Sequence, residues 1–274
     1  MKVRKAAGAL GAYVSGLDLT DIVSSNALFA EVRTLAVEHE VLFFRDQKVA
    51  PSVYRDFARR FGEVLDHPAY ALVPGTDEVQ ILESTAENPT KIELWHSDMT
   101  FAPEPPSFTL LHGQIIPEFG GDTLWASATR AYENLSPQLQ NFFAALTAVH
   151  DFRHEFKESL AEPGGRERLA DAISANPPVE HPVVRTHPET GKKSLYVNAL
   201  FATHIKELEK LESERMLHFL YQHIVCEEHT VRLSWAPYTV AIWDNRSTQH
   251  KPVNDFFPQH RKMHRVTIRG DRPA

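Results

Sequence analysis

A histidine and an aspartate two positions apart, His96 and Asp98, lie in the segment Trp95–Phe101, which reads Trp-His-Ser-Asp-Met-Thr-Phe. If this segment is a β-strand, its side chains alternate between two faces, and the imidazole and the carboxylate point to the same side. An imidazole and a carboxylate that converge in this way supply two of the three ligands of a 2-His-1-carboxylate iron site. The third ligand must then be a histidine far away in the sequence.

The candidate for that third ligand is His250, which follows a predicted strand at 239–243 through a polar stretch able to turn its ring toward a pocket. Arg261 comes eleven residues later, and a predicted strand at 261–265 places Arg261 and Arg265 on one face. Two inward-facing guanidinium groups are costly unless each meets an anion. Because the planar guanidinium suits bidentate binding of carboxylate or sulfonate, these residues indicate an anion-binding metal pocket.

The predicted elements that carry these residues are mostly strands, and they show no regular βαβ alternation. Short apolar runs such as 41–44 and 108–116 predict strands, whereas 51–61 and 207–225 predict helices. This pattern indicates an antiparallel β-sandwich with helices packed outside it. The polar segment 151–180 is expected to form an excursion or lid over the site.

Composition restricts the class of protein. The chain of 274 residues has a formal net charge of −7, which argues against a nucleic-acid partner. No apolar run approaches the ~20 residues of a membrane helix. The single cysteine, Cys226, excludes an internal disulfide framework and a cysteine-based metal site, so we expect a reducing, cytoplasmic compartment. We expect one domain over residues 1–274.

The ordered set of His96-x-Asp98, His250 and Arg261 resembles the taurine dioxygenase (TauD/TfdA-like) family of Fe(II)/2-oxoglutarate-dependent dioxygenases. The resemblance covers nearly the whole chain, and its flanking segments are Val41–Gln47, Gly120–Trp125, His181–Pro188, Ala241–Arg246 and Met263–Arg265. It implies a mainly β fold of the α+β kind, with a double-stranded β-helix (jelly-roll) core and flanking helices.

The resemblance also implies roles for these residues. His96, Asp98 and His250 are expected to hold Fe(II), with O2 as a further reactant. Arg261 and Thr123 are expected to bind the distal carboxylate of 2-oxoglutarate, the co-substrate that is decarboxylated to succinate. A substrate carbon is hydroxylated in the coupled step. If that carbon bears a sulfonate, the product collapses to an aldehyde and sulfite, as in taurine catabolism.

On the substrate side, Arg265 matches the arginine that holds a sulfonate or sulfate head group. The other residues expected at the substrate are His67, Tyr70, Ile92, Phe156 and Phe201. Two positions depart from the taurine pattern. Ile92 stands in place of an asparagine and makes the pocket more apolar. Glu155 stands in place of a small hydroxyl residue and either meets a substrate ammonium or faces solvent.

The leading interpretation is a dioxygenase of a small anionic organic substrate, a taurine-like or more apolar organosulfonate. Two alternatives stay open. One is a dioxygenase of alkyl sulfates or of carboxylates such as phenoxyalkanoates, which Ile92 favours over strict taurine specificity. The other is a non-catalytic metal- and anion-binding protein on the same fold. The family also implies a homodimer or homotetramer.

Overall fold

The computed structural model describes residues 1–65, 70–89 and 92–274, with the backbone alone at 158 and 159. The strands are β1 (Lys2–Lys5), β2 (Ala12–Ser15), β3 (Val41–Phe44), β4 (Gln80–Ser84), β5 (Phe108–Ile115), β6 (Thr123–Ser127), β7 (Thr147–His150), β8 (Val179–Pro182), β9 (Val184–Thr186), β10 (Lys193–Leu195), β11 (Ala202–Ile205), β12 (Thr230–Leu233), β13 (Val240–Asp244), β14 (Thr248–Pro252) and β15 (Arg261–Thr267). The helices are α1 (Leu19–Ser24), α2 (Asn26–His39), α3 (Pro51–Arg59), α4 (Ala128–Glu133), α5 (Pro137–Phe143), α6 (Phe152–Glu155), α7 (Lys157–Ala161), α8 (Gly165–Arg168), α9 (Ala170–Ala175) and α10 (Lys210–Ile224). Of the described residues, none belong to a helix that combines the length and apolar character needed to cross a bilayer.

Two facing sheets form the jelly-roll core. The larger has seven strands in the order β1-β2-β3-β13-β5-β15-β4, antiparallel except where β2 pairs with β3. The smaller has the antiparallel order β12-β6-β14. Trp125 of the smaller sheet packs between Trp243 and Phe43 of the larger, with ring centroids 5.6 and 5.4 Å apart. These contacts confirm the predicted β-rich fold with flanking helices.

Alternation along β13 explains which face each helix covers. Val240 and Ile242 pack in the apolar cluster that includes buried residues of α1, α2 and α3. Ala241 and Trp243, which point the other way, join the cluster between the sheets. The large sheet is therefore covered by helices on its outer face and lines the site with its inner face.

The segment expected as a lid at 151–180 forms four short helices, α6 to α9, with a left-handed residue at Gly164 (φ 72°) between α7 and α8. Its Phe152 and Phe156 pack with Phe101 and Phe201 in a separate aromatic cluster. The excursion is therefore anchored against the turn that follows His96 and Asp98.

Candidate active site

Three side chains form the centre of the site. His96, Asp98 and His250 each bring one potential ligand atom to within 4.8 Å of the others. The Nε2 atoms of His96 and His250 lie 3.9 and 3.7 Å from the same oxygen, Oδ1 of Asp98. The three residues are between 5% and 9% exposed. Such a set of two imidazoles and one carboxylate is a suitable ligand group for Fe(II).

The prediction that Trp95–Phe101 is a strand is wrong. His96 forms an isolated antiparallel bridge with His250 of β14, and the amide of each donates to the carbonyl of the other, at 3.0 and 2.7 Å. The chain then turns, with a left-handed φ of 48° at Met99 and a hydrogen bond from the Ala102 amide to the Met99 carbonyl. His96 and Asp98 therefore converge through a bridge and a turn, not through strand alternation.

A hydrogen-bonded chain supports Asp98 from behind. The Thr109 hydroxyl donates to Oδ2 of Asp98 at 2.6 Å, and the Asn245 amide donates to Thr109 Oγ1 at 2.8 Å. Asn245 Oδ1 in turn accepts from Trp243 Nε1 at 3.0 Å. Thr109 and Asn245 are not among the site residues predicted from the sequence. The available signal was a hydroxyl residue inside the otherwise apolar start of β5.

Hydrogen bonding and burial set the protonation states that a metal site needs. Nδ1 of His96 lies 2.9 Å from the Leu94 carbonyl, to which it donates, so Nε2 keeps its lone pair. Burial lowers the pKa of His96, and burial with the neighbouring His96 ring lowers the pKa of His250 to about 3.

The carboxylate of the set remains ionised. Burial alone would raise the pKa of Asp98, but His250, His96, Arg265 and the Thr109 hydroxyl together outweigh it and hold that pKa below its usual value. Two neutral imidazoles and one ionised carboxylate are the states in which these groups bind a metal.

A cavity of about 450 Å³ opens beside this group. It brings the three residues together with five others predicted for the site, namely Tyr70, Ile92, Thr123, Arg261 and Arg265. Much of the remaining wall is apolar and is formed by Ile81, Leu82, Pro89 and Leu111. The wall also includes Glu83, which pairs with His260 and Lys262, so the pocket combines two cationic groups and one paired carboxylate with a partly apolar surface.

Arg261 is a partly buried cation without a close counter-ion among the described residues. Burial lowers the pKa of its guanidinium to about 10, and distant Asp122 opposes this. Its Nε is a buried donor with no hydrogen-bond partner in the described part of the chain. Nearby, Thr123 Oγ1 accepts a hydrogen bond from Trp235 Nε1 at 3.0 Å. An anionic ligand would satisfy the unpaired donor of Arg261.

Among the described residues, two neutral groups hold Arg265, and no carboxylate forms an ion pair with it. Its Nε donates to Oε1 of Gln80 at 3.0 Å, and its guanidinium carbon lies 4.4 Å from the centroid of the Tyr70 ring. Its charge acts on the metal-ligand group, because it contributes to lowering the pKa values of His96, Asp98 and His250.

Two other predicted residues, Phe156 and Phe201, do not border this cavity. His67 lies outside the described residues. Phe156 stacks on Phe152 at 4.5 Å, and Phe201 lies 5.1 Å from Phe101, so both belong to the aromatic cluster under the turn. Their substrate contacts therefore remain predictions that the cavity wall does not support.

Glu155, the second departure from the taurine pattern, is half-buried. Burial raises the pKa of its carboxyl to about 7, and the negative charge of Asp98 adds to this. Because its carboxyl is half-buried, Glu155 does not simply point into solvent, which was one of the two alternatives for this residue.

Comparison with known proteins agrees with this geometry. The family described as "Taurine catabolism dioxygenase TauD, TfdA family" matches residues 2–267. An alkylsulfatase from Acinetobacter baylyi is 38% identical over 99% of this chain and 86% of its own length. An alpha-ketoglutarate-dependent sulfonate dioxygenase from Saccharomyces cerevisiae is 34% identical over 100% of this chain and 68% of its own length.

Solved structures agree as well. A taurine dioxygenase from Burkholderia xenovorans has a TM-score of 0.85 and 34% identity, covering 100% of this chain and 90% of that one. The structure of AAD-2 in complex with Mn(II) and N-oxalylglycine has a TM-score of 0.83 and 27% identity, and the match covers 99% of this chain and 98% of that one. The predicted family, enzyme class and cofactors are confirmed, and the chain belongs to the TauD, TfdA family of dioxygenases, which use Fe(II), 2-oxoglutarate and O2.

Proposed function

We propose that this enzyme hydroxylates a small organosulfonate at the carbon next to sulfur, with an alkyl sulfate as the second candidate substrate. The observation that carries the proposal is Arg265, which borders the cavity and whose partners among the described residues, Gln80 and Tyr70, are neutral. An unneutralised arginine in a partly apolar cavity favours an anionic ligand, and its planar donors suit a sulfonate or sulfate group.

We propose that His96, Asp98 and His250 hold Fe(II), and that Arg261 and Thr123 bind the distal carboxylate of 2-oxoglutarate. The protonation states of the first three residues and the unpaired buried Nε of Arg261 fit these groups. When bound, iron and 2-oxoglutarate supply the oxidising chemistry, in which O2 and 2-oxoglutarate yield succinate, carbon dioxide and one oxygen atom for the substrate.

The chain's own residues bind and orient the substrate. Arg265 anchors the anionic head group, so the adjoining carbon is directed toward the three metal ligands. The apolar wall formed by Leu82 and Leu111 limits access of water. Thr109 holds Asp98 in one orientation throughout. Hydroxylation beside a sulfonate then releases sulfite and an aldehyde.

The alkyl sulfate candidate is favoured by a specific feature of the wall. Ile92, Ile81 and Pro89 face the cavity, which suits an alkyl chain better than the ammonium group of taurine. The similarity to the alkylsulfatase from Acinetobacter baylyi also supports this candidate. Hydroxylation at the carbon next to the ester oxygen would release sulfate in place of sulfite.

The test measures succinate formation with Fe(II) and 2-oxoglutarate on taurine, pentanesulfonate, hexyl sulfate and phenoxyacetate. Sulfite release identifies a sulfonate substrate, and sulfate release identifies the ester. Asp98→Ala, which lacks one metal ligand, is the control and should reduce succinate to background. If no sulfonate or sulfate stimulates succinate formation, the proposal is wrong, and turnover of phenoxyacetate alone would indicate a carboxylate substrate.

We also propose that residues 1–274 form one dioxygenase domain, since β3 pairs with β13 and β4 pairs with β15 across most of the sequence. The family resemblance supports a homodimer or homotetramer, and the single free Cys226 supports a cytoplasmic location. Light scattering of the purified enzyme tests the assembly, and fractionation of the producing cells tests the location.

A further inference from the structure

Gln80 is a buried amide, 1% exposed, in β4. It stands opposite Arg265 in the β4–β15 register, and its Oε1 accepts the 3.0 Å hydrogen bond from Arg265 Nε. Its Nε2 makes a long hydrogen bond, 3.5 Å, to the Leu65 carbonyl. Because both ends of the amide have partners, its orientation is fixed with the oxygen toward the arginine.

The partner of Arg265 differs in charge from the partners of three ion-paired arginines of this chain. Arg185, Arg232 and Arg246 each form an ion pair with an aspartate, at 2.8, 2.6 and 2.6 Å respectively. Within the described ranges, Arg265 is instead held by a neutral amide and by an aromatic ring. An arginine held in this way has no ion-pair partner that a substrate anion must displace.

The described residues also leave N–H groups of Arg265 available to a ligand. An arginine has five N–H groups, and the bond to Gln80 uses the one on Nε. The four N–H groups on the two Nη atoms carry the bidentate face that suits a sulfonate or carboxylate. The guanidinium borders the cavity, so a ligand in the cavity can reach it.

We propose that Gln80 is a positioning residue, which fixes Arg265 without neutralising it and so sets the enzyme's preference for an anionic substrate head group. This inference rests on the proposed function of Arg265 as the substrate anchor. It identifies a glutamine that is separated from Arg265 by 185 positions, and that does not border the cavity, as part of substrate selection.

Two variants separate the two parts of this role. Gln80→Glu keeps the size of the side chain and an oxygen acceptor but adds a negative charge beside Arg265. We expect the KM for the sulfonate or sulfate substrate to rise about tenfold or more, because the added carboxylate competes with the substrate for one guanidinium. Gln80→Leu adds no charge and removes the acceptor, so we expect hydroxylated product per succinate to fall as the anchor loses its orientation.

The experiment uses the enzyme loaded with Fe(II) and 2-oxoglutarate, and it records KM, kcat and product per succinate for the wild type and both variants. Gln222→Glu, the same charge change at an exposed residue of α10, is the matched control and should behave as the wild type. Binding of N-oxalylglycine with Mn(II) should be the same in all four proteins, which shows that each is folded with its metal site intact.

The outcomes distinguish this inference from the proposed function. If the wild type turns over no sulfonate or sulfate, the proposed function fails, and this inference fails with it. If the wild type is active and Gln80→Glu keeps a KM within about twofold of the wild-type value, the inference alone is overturned. A lower kcat at unchanged KM and unchanged product per succinate would likewise overturn it, since that pattern indicates only a smaller folded fraction. If Gln80→Glu does not fold, the product per succinate of Gln80→Leu decides.

Discussion

Thr109 donates its hydroxyl hydrogen to Oδ2 of Asp98 at 2.6 Å, so the other oxygen, Oδ1, is the one that faces the two imidazoles. Thr109 is itself held by the amide of Asn245. The orientation of the carboxylate is therefore determined by buried residues that do not border the cavity, and this dependence can be measured.

The exchange Thr109→Val keeps the shape of the side chain and removes the hydroxyl. We expect Mn(II) or Fe(II) to bind about 10- to 100-fold more weakly, as is usual when a hydrogen bond to a metal ligand is lost. Anaerobic calorimetric titration measures this, with Thr109→Ser as the control that retains the hydroxyl. Equal metal affinity in the valine variant and the wild type would show that the hydroxyl does not orient Asp98.

Arg261→Met tests the co-substrate site. Arg261 is partly buried, and its buried Nε lacks a partner among the described residues, so removing the charge should not expose an unpaired anion within the protein. We expect the KM for 2-oxoglutarate to rise about tenfold or more, because a hydrogen bond to a charged group contributes about 1.5–3 kcal/mol.

The KM for the sulfonate or sulfate should change little in the same variant. Arg269→Met, which removes an exposed arginine paired with Glu63, serves as the control. An unchanged 2-oxoglutarate KM in Arg261→Met would exclude Arg261 from co-substrate binding.

Ile92 allows a test of substrate preference. Its carbonyl accepts a hydrogen bond from Asn254 at 2.9 Å, and its side chain borders the cavity, so the backbone stays anchored when the side chain is exchanged. We expect Ile92→Asn to lower kcat/KM for hexyl sulfate relative to taurine by about tenfold or more, since several buried methylene contacts are lost. Ile92→Val is the control, and an unchanged ratio in the asparagine variant would show that this wall does not contact the substrate.

Glu40 makes stability depend on pH. It ends α2 in a left-handed conformation and is 8% exposed. Burial, with a smaller contribution from Asp244, raises the pKa of its carboxyl to about 7, whereas Ser127 and Thr129 oppose the rise. The folded state holds this proton more tightly than the unfolded chain does. The contribution of Glu40 to the free energy of unfolding is therefore fully present below about pH 4.5 and is lost as the pH rises through about 7.

Glu40→Gln removes that dependence. We expect the variant to exceed the wild type in free energy of unfolding by up to about 3 kcal/mol at about pH 8, and to match it near pH 4.5. Urea denaturation at both pH values measures the two differences. The same difference at both pH values would show that Glu40 is not protonated in the folded protein at acid pH.

The residue types and their order were enough to predict the fold class and to name five residues that the fold brings together. His96, Asp98, His250, Arg261 and Arg265 do border one cavity. The local conformation of their segments was not predictable in the same way. Trp95–Phe101 alternates in polarity like a strand, but a left-handed Met99 interrupts it, and that conformation depends on contacts of the turn. His250, expected after a polar turn, lies within β14 and pairs with Trp125 of β6.

The supporting residues were harder to predict, because their partners are remote in the sequence. Thr109 is joined to Asp98 and to Asn245 by side-chain hydrogen bonds, which leave no periodic pattern in any one segment. The role of Gln80 likewise cannot be read from its own segment, because it follows from the pairing of Gln80 with Arg265 in the β4–β15 register. Phe156 and Phe201 were placed at the substrate by position, whereas aromatic packing with Phe152 and Phe101 determines where they lie.

The reciprocal hydrogen bonds between His96 and His250 have a thermodynamic consequence. The ligand group joins two distant parts of the chain through this bridge, so an unfolded chain contains no preformed metal site. Free energy of metal binding is therefore also free energy of folding, and each tenfold increase in free metal above the dissociation constant adds about 1.4 kcal/mol to stability. The lifetime of this protein in a cell would then follow the supply of ferrous iron.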